Sequence, residues 1–214
     1  QKKSLVTGLD RLYYDREKPF TKTIPYYNRF LPEITVQKPK AYILPQGWTK
    51  AAELLQLNGV KMKALEKDQL MEVEVYYIES YKTSSQAYEG HYTHSDVKLK
   101  TEKQKIKVYA GDWLIETGQD ADRYLVETLE PQATDSYFNW NFFDSILGQK
   151  EHYSAYIFEE EAYKLLQENP DWKKELEDKD EKFRSSSRAQ LDWIYKKSDY
   201  YEKTHLRYPV FRLN

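Results

Sequence analysis

The stretch Met71-Glu72-Val73-Glu74-Val75-Tyr76-Tyr77 alternates apolar and acidic side chains over its first five residues. Successive side chains of a β-strand point to opposite faces of a sheet, so this alternation predicts a strand. Its odd-numbered positions then face a core, and its two glutamates face water. The pattern is the clearest in the chain, and it places a β-sheet in the middle of the sequence.

Two shorter alternating stretches follow this strand, Val97-Lys98-Leu99 and Ile106-Lys107-Val108. The apolar residues fall on odd positions in the first stretch and on even positions in the second. A shift of one residue moves every side chain of a strand to the other face, so the change predicts a turn or bulge near residues 102–104. The middle of the chain is therefore predicted to be mainly antiparallel β-sheet.

An α/β element precedes this sheet. Residues 41–44 predict a strand that ends at Pro45, and residues 48–57 have the apolar spacing of a helix closed by Asn58-Gly59. Residues 60–65 alternate again and predict a second strand. A strand, a helix of about ten residues and a strand are typical of a βαβ crossover, whose two strands are parallel.

The two ends of the chain have other patterns. Residues 1–40 predict an extended lead-in, because the prolines at positions 19, 25, 32 and 39 disfavour helix. Helical spacing returns near residue 120 and predicts five helices, at residues 121–129, 136–147, 159–168, 171–183 and 188–196. The tail at residues 208–211 is extended and partly apolar, and we expect it to dock back onto the sheet.

Together these patterns predict an α+β fold with a mixed, mainly antiparallel sheet or sandwich, one βαβ unit and a helical C-terminal region. We expect the lead-in at residues 1–40 to be followed by an α/β core at 41–130. The helical region at 131–214 packs on that core as part of the same structural unit. A chain of 214 residues is long enough to bury one sizeable core.

Composition limits the classes of function. The 33 basic and 35 acidic residues nearly cancel, so nothing favours nucleic acid or an anionic membrane as a partner. The absence of cysteine excludes thiolate metal sites, disulfides and cysteine nucleophiles on this chain. No apolar run approaches membrane-spanning length. The chain opens on Gln1, which we interpret as a processed or truncated product, so we expect the natural polypeptide to continue upstream.

Catalytic motifs are missing. His91 and His94 have a spacing that suits zinc on a helix, but side chains three apart in a strand point to opposite faces. A hydrolase using Glu89, His91 and His94 requires these groups to converge within hydrogen-bond reach. The sequence contains no Gly-x-Ser-x-Gly, no phosphate-binding glycine loop and no His-x-x-Glu pair. We therefore assign no catalytic, cofactor-binding or metal-binding residue and expect no cofactor on this chain.

Two groups of aromatic residues stand out. The first lies on and after the predicted strand and suits the stacking of a sugar or a peptide. Its candidate ligand-binding residues, with the two neighbouring histidines, are Tyr76, Tyr81, Tyr88, His91, Tyr92 and His94. The second group falls in the predicted helix at 136–147 and is interpreted as core. Its members are Tyr137, Phe138, Trp140, Phe142 and Phe143.

Several stretches of the sequence carry a family resemblance, and one of them is Pro39-Lys40-Ala41-Tyr42-Ile43-Leu44-Pro45-Gln46-Gly47-Trp48. The chain resembles the region after the catalytic domain in large zinc carboxypeptidase-like proteins of Bacteroidetes-type bacteria. The other similar stretches are residues 24–28, 57–60, 88–92, 126–133, 135–136, 140–143 and 200–210. The resemblance covers most of the chain, from about residue 5 to the end.

The resemblance implies a role that the residues alone do not. In carboxypeptidase A-like enzymes a His-x-x-Glu pair and a later histidine hold the zinc, and this chain has no position that matches the pair. The resemblance therefore implies a non-catalytic C-terminal region of a periplasmic or secreted parent protein. Its partner is the upstream peptidase domain, which holds the zinc and which this region supports or gates. An independent glycan- or peptide-binding module on the tyrosine-rich sheet is the alternative.

Overall fold

The computed structural model describes residues 1–214, and the chain divides into two units, Gln1–Thr35 and Val36–Asn214. In the first unit, a short antiparallel hairpin pairs β1 (Lys2–Lys3) with β2 (Asp10–Arg11). Residues 12–35 form no strand or helix, in keeping with the prolines of the predicted lead-in.

The second unit is built on a six-stranded sheet. Its strands are β3 (Ala41–Leu44), β4 (Lys63–Ala64), β5 (Gln69–Thr83), β6 (His94–Val108), β7 (Trp113–Glu116) and β8 (Phe211–Leu213). They lie in the order β4-β7-β3-β8-β5-β6, and every neighbouring pair is antiparallel. With the helices described below, the fold is α+β, as the sequence predicts.

The two long strands β5 and β6 form a ladder without interruption between Gln69 paired with Val108 and Ile78 paired with Leu99. The predicted turn or bulge near residues 102–104 is therefore wrong. The pairing register shifts beyond Ile78 instead, near Asp96, whose φ of 51° is left-handed.

The apolar residues of β6 change from odd-numbered to even-numbered positions for another reason, because both faces of the sheet are covered. Leu99 packs with Ile78 in one apolar cluster, while Ile106 packs with Val75 in a second cluster on the opposite face. Side chains seven residues apart in a strand point to opposite faces, so the two ends of β6 contribute to different cores.

Helix α1 (Thr49–Leu57) connects β3 to β4. Both strands pair antiparallel with β7, so they run in the same direction, as a βαβ crossover requires. They are not neighbours, because β7 lies between them. The helix buries Ala51, Ala52 and Leu55 against the larger apolar cluster.

The C-terminal tail completes the sheet. Strand β8 lies between β3 and β5, in the interior of the strand order. Tyr208 is 0% exposed and Val210 is 1% exposed. The expected docking of the tail is thus confirmed, and the two halves of the sheet meet only through this strand.

Five further helices lie between β7 and β8 in the chain: α2 (Asp122–Leu129), α3 (Ala155–Glu168), α4 (Pro170–Glu177), α5 (Glu181–Arg184) and α6 (Ser187–Lys197). The single helix predicted at residues 171–183 is wrong, because the Asp180 carboxylate accepts a hydrogen bond from the Phe183 N–H and caps a new helix. Helices α3, α4 and α6 share a separate apolar cluster. None of the helices has the length and apolar character needed to cross a membrane.

The helix predicted at residues 136–147 is also wrong. Residues 137–143 form a series of turns, followed by a 3₁₀ helix at Asp144–Ile146. Asn141 has a left-handed φ of 65°, which an α-helix does not accommodate. The turns place Tyr137, Phe138 and Phe143 fully in the core, as interpreted, and this burial outweighs the local helical pattern.

Candidate functional site

An open cavity of about 350 Å³ lies where α1 begins, beside residues 140–142. Trp48, Trp140 and Phe142 contribute aromatic groups to its lining, and Lys50 and His91 contribute cationic or polar groups. No acidic residue lines it. Aromatic walls with a few convergent polar groups are typical of small-ligand sites, so this cavity is the candidate site.

The aromatic walls are held by neighbouring rings. The Trp48 ring meets the ring of Phe143 edge-on, with centroids 4.8 Å apart, and Phe143 is fully buried. The Trp140 ring lies 5.4 Å from the His91 ring and 6.2 Å from the Tyr88 ring. Such offset and edge-to-face contacts restrict each ring, so the cavity is largely preformed.

His94 anchors the loop that carries Tyr88 and His91. It begins β6, is 4% exposed, and places its Nδ1 3.0 Å from the Thr83 Oγ1 at the end of β5. Its Nε2 lies 3.0 Å from the Asp144 Oδ1. The contacts with Asp144 and Thr83 fit a tautomer in which Nε2–H donates to Asp144 and the Thr83 hydroxyl donates to Nδ1. The Asn141 amide nitrogen lies 3.2 Å from the same Nε2 and donates to the Tyr92 carbonyl oxygen instead. His94 thereby links the end of β5 and the start of β6 to Asp144, which follows the cavity-lining residues 140–142 in the chain.

The structure separates the candidate ligand-binding residues into two groups. Tyr88 and His91 lie together at Trp140, and Tyr92 is exposed beside them, its carbonyl oxygen accepting a hydrogen bond from Asn141. The other three face inward. The Tyr81 ring packs 4.8 Å from His94 and 5.8 Å from Phe138, and Tyr76 is 7% exposed beneath the guanidinium of Arg212.

Sequence reasoning does not find the two tryptophans of the cavity. Trp48 is read only as the start of a helix, and Trp140 only as part of an aromatic core. A signal for Trp140 is present, since Asn139 and Asn141 flank it, whereas Tyr137-Phe138 and Phe142-Phe143 are adjacent apolar pairs. An aromatic residue between two amides fits a half-exposed position better than a core position.

The histidines do not form a metal cluster. The structure contains no group of three His, Asp or Glu side chains placed to hold a metal ion. His94 is occupied by Thr83 and Asp144, His91 lies against Trp140, and no ion pair joins Glu89 to either histidine. The convergence that the Glu89–His91–His94 hydrolase requires is therefore absent.

A second group of charged residues lies inside the sheet unit, at β8. The Arg212 guanidinium pairs with Glu74, and its Nε lies 3.1 Å from the Glu130 Oε1. The Tyr42 hydroxyl donates to the same Glu130 oxygen at 2.8 Å, while Oε2 has no hydrogen-bond partner. The Arg212 Nε makes no hydrogen bond either, so its contact with Oε1 is one of charge alone. Burial raises the pKa of Glu130 above its ordinary value, and Arg212 offsets this only in part. One buried guanidinium therefore serves two carboxylates.

Replacing His94 by alanine is expected to lower the free energy of unfolding by about 2–3 kcal/mol, because it removes a buried ring and the partner of Thr83 and Asp144. Urea unfolding monitored by tryptophan fluorescence measures the change. The matched control is His152→Ala, since His152 is exposed, and it is expected to alter stability by about 0.5 kcal/mol or less. Equal effects of the two substitutions would contradict the anchoring role of His94.

The known proteins that match part of the chain share one name. A protein named carboxypeptidase 2, from Trichophyton rubrum, is 28% identical to the chain over 133 residues, which are 62% of this chain and 24% of that protein. The carboxypeptidase 2 of Trichophyton tonsurans is 30% identical over 104 residues, which are 49% of this chain and 19% of that protein. Part of the chain is thus similar in sequence to part of these two proteins. It spans about a quarter or less of the length of these relatives.

Other comparisons add no further relation. No protein-family model matches the chain. No solved structure matches it either. The named relatives are fungal, so the bacterial origin that the sequence resemblance implies stays a prediction.

Proposed function

We propose that this chain is a non-catalytic accessory region of a larger carboxypeptidase-like protein, and that it supports or gates the peptidase domain upstream of it. The observation that carries the proposal is the partial similarity, which covers much of this chain but only 24% or 19% of two proteins named carboxypeptidase 2. A region of that size accounts for one part of such a protein. In this proposal the zinc is held by the upstream domain, and the protein is periplasmic or secreted.

The environments of the histidines support this role. His94 is buried and hydrogen-bonded to Thr83, and the Nδ1 of His205 lies 2.6 Å from the hydroxyl of Tyr201. His91 packs against Trp140. The imidazoles of His94 and His205 thus hold parts of the fold together, which is the use expected of histidine in a supporting domain.

The test of the supporting role uses the larger polypeptide that carries this region. Peptidase turnover and thermal stability are compared between the intact polypeptide and a version without residues 36–214. We expect the shortened version to lose stability, or to change its kcat/KM for long but not for dipeptide substrates if the region gates access. Unchanged stability and unchanged kcat/KM for both substrate lengths would reject the proposal.

A second candidate function is the binding of a glycan or a peptide, and the cavity beside Trp140 specifically favours it. Trp48 and Trp140 are half-buried, so each ring leaves part of its surface open to a saccharide ring or a peptide side chain. An aromatic side chain that stacks on such a ring gains about 1 kcal/mol beyond area burial. Lys50 and His91 supply polar contacts at the same opening. The residues that carry this role are Trp48, Tyr88, His91 and Trp140.

Trp140→Ala is expected to weaken any such binding about tenfold, because it removes the ring that joins the cavity to Tyr88 and His91. Glycan and peptide arrays identify the ligand, and isothermal titration measures the change in Kd. Tyr156→Ala is the control, since Tyr156 is 82% exposed on α3 and is not part of the cavity lining. Equal affinity of the two variants, or no saturable ligand on the arrays, would leave only the supporting role.

A further inference from the structure

A broad groove of about 960 Å³ lies between β6 and the segment that connects α6 to β8. Six cationic side chains line it: Lys100, Lys105, Lys107, Lys196, Lys203 and Arg207. Glu102 is the single carboxylate of the lining. The lining is therefore basic, although the whole chain has a net charge of −2.

Most of these cations have weak partners. Lys100 lies 2.7 Å from Glu102, and Lys107, Lys196 and Lys203 lie 3.1, 2.8 and 2.7 Å from nearby aspartates. Exposed ion pairs of this kind contribute about 1 kcal/mol or less, so a carboxylate from another molecule competes with them readily. Lys105 and Arg207 form no ion pair at all.

The groove is fixed in shape by contacts between its two sides. The Tyr77 hydroxyl, on β5, donates to the carbonyl oxygen of Lys203 at 3.2 Å and accepts from the Gln104 side chain at 3.1 Å. The Arg207 guanidinium lies 5.6 Å from the centroid of the Phe211 ring. A charged ligand therefore meets one cation, Arg207, that is already held in position, which lowers the entropic cost of that contact.

We propose that this groove binds an acidic, extended peptide segment, with Lys105 and Arg207 as its principal contacts. A peptide is favoured over an acidic glycan because β6 is an edge strand, so its outer backbone groups have no partner strand. A peptide that follows the groove offers N–H and C=O groups to that edge, and its carboxylates meet the lysines. This surface lies apart from the Trp140 cavity and goes beyond the supporting role.

A second copy of the chain does not suit the same edge. β6 carries Lys98, Lys100, Lys103, Lys105 and Lys107, so this edge of the sheet is basic along most of its length. Lysines on an edge strand repel an identical edge and discourage self-pairing. The same charges that exclude a second copy attract an acidic segment.

The test uses fluorescence anisotropy with the intact chain and a labelled peptide in which Glu and Thr alternate. The peptide has roughly twelve residues, which is long enough to follow most of β6. The matched probe has Gln in place of each Glu, and a heparin fragment of similar length is the third arm. We expect the acidic peptide to bind, the Gln peptide to bind at least tenfold more weakly, and the affinity to fall as salt is raised.

Two charge-reversal variants distinguish binding in the groove from a general effect of the charge of the chain. Lys105→Glu is expected to weaken binding of the acidic peptide about tenfold, while Lys173→Glu, an equal charge change on the exposed side of α4, is expected to change it less than about twofold. Equal effects of the two variants, equal binding of the Glu and Gln peptides, or tighter binding of the heparin fragment would overturn the proposal. These outcomes do not depend on peptidase activity, so they are independent of the supporting role.

Discussion

Removing residues 208–214 is expected to leave the chain without a cooperative fold. The deletion takes away β8, which lies between β3 and β5, together with the buried side chains of Tyr208, Val210 and Phe211. Burial of each such side chain contributes roughly 1.5–3 kcal/mol, so the three together contribute about 4.5–9 kcal/mol. Whole domains are stable by only about 5–15 kcal/mol, so this loss is comparable with the entire stability. Because β8 also joins β3 to β5, we expect cooperative folding to be lost with it.

Circular dichroism and urea unfolding measure this result. The shortened chain is expected to lack a sigmoidal transition, and its amide protons in β3 and β5 are expected to exchange freely. The control removes only Asn214, which is exposed and lies outside β8, and it should unfold like the full chain. A cooperative transition of the shortened chain with an unchanged m-value would contradict the role assigned to β8.

Replacing Arg212 by methionine is expected to cost roughly 3–5 kcal/mol, because it leaves two carboxylates without their shared cation. Glu130 is 2% exposed, and the Glu74 side chain is 17% exposed. Methionine fills a similar volume, so the loss reflects charge and hydrogen bonding more than packing. Urea unfolding at neutral pH gives the change directly.

The matched substitution at the other end of the pair, Glu130→Gln, is expected to change the stability much less. In Glu130→Gln the guanidinium keeps Glu74 as its partner, so we expect little or no loss of stability at neutral pH. The folded-state pKa of Glu130 lies above its ordinary value of 4.5, so the folded chain binds more protons than the unfolded chain between these two values. The contribution of this group is thus fully present below 4.5 and is lost as the pH rises through the folded-state pKa.

A pH series checks this sign. The wild type is expected to lose stability relative to Glu130→Gln as the pH rises from about 4.5 toward neutrality, and the two should converge in acid. A gain of the wild type over the variant with rising pH would mean that the Arg212 pair lowers the pKa of Glu130. A small cost of Arg212→Met, equal to that of Glu130→Gln, would show that the guanidinium is not the shared partner.

Local sequence patterns predict the elements of this fold better than their pairing. The alternation at residues 71–77 predicts β5 because one face of that segment is consistently apolar. The shift of apolar residues from odd to even positions along β6 leads to the wrong prediction of a turn. A single strand contributes to two cores here, and local spacing does not reveal which face is covered. The position of β8 between β3 and β5 also has no local signal, since it joins residues as distant as Glu74 and Arg212.

The candidate site is predicted only in part for a related reason. Tyr88 and His91 can be selected from the sequence because they form a polar aromatic segment after a strand. Trp140 joins them through turns that replace a predicted helix, and these turns exist because Tyr137, Phe138 and Phe143 must all be buried. Packing across the sheet, rather than helical spacing, therefore decides which aromatic residue reaches the surface.

The same packing explains how the surfaces are distributed in the sheet unit. The cavity lined by Trp48 and Trp140 lies beside the larger apolar cluster. The basic groove lies on the side of β5 and β6 where Tyr77 and Ile106 contact the smaller cluster. A scaffold with two separate surfaces suits an accessory region that contacts both a neighbouring domain and a peptide. The Lys105→Glu and Trp140→Ala variants address these surfaces one at a time.

The central claim, that this chain supports chemistry located elsewhere, is tested most directly by its own peptidase activity. The purified 214-residue chain is incubated with zinc and peptides of varied C-terminal residues, and the release of free amino acids is followed by mass spectrometry. We expect no release above the protein-free control at any zinc concentration. Zinc-dependent release that a chelator abolishes and that Trp140→Ala or His94→Ala reduces would contradict the account.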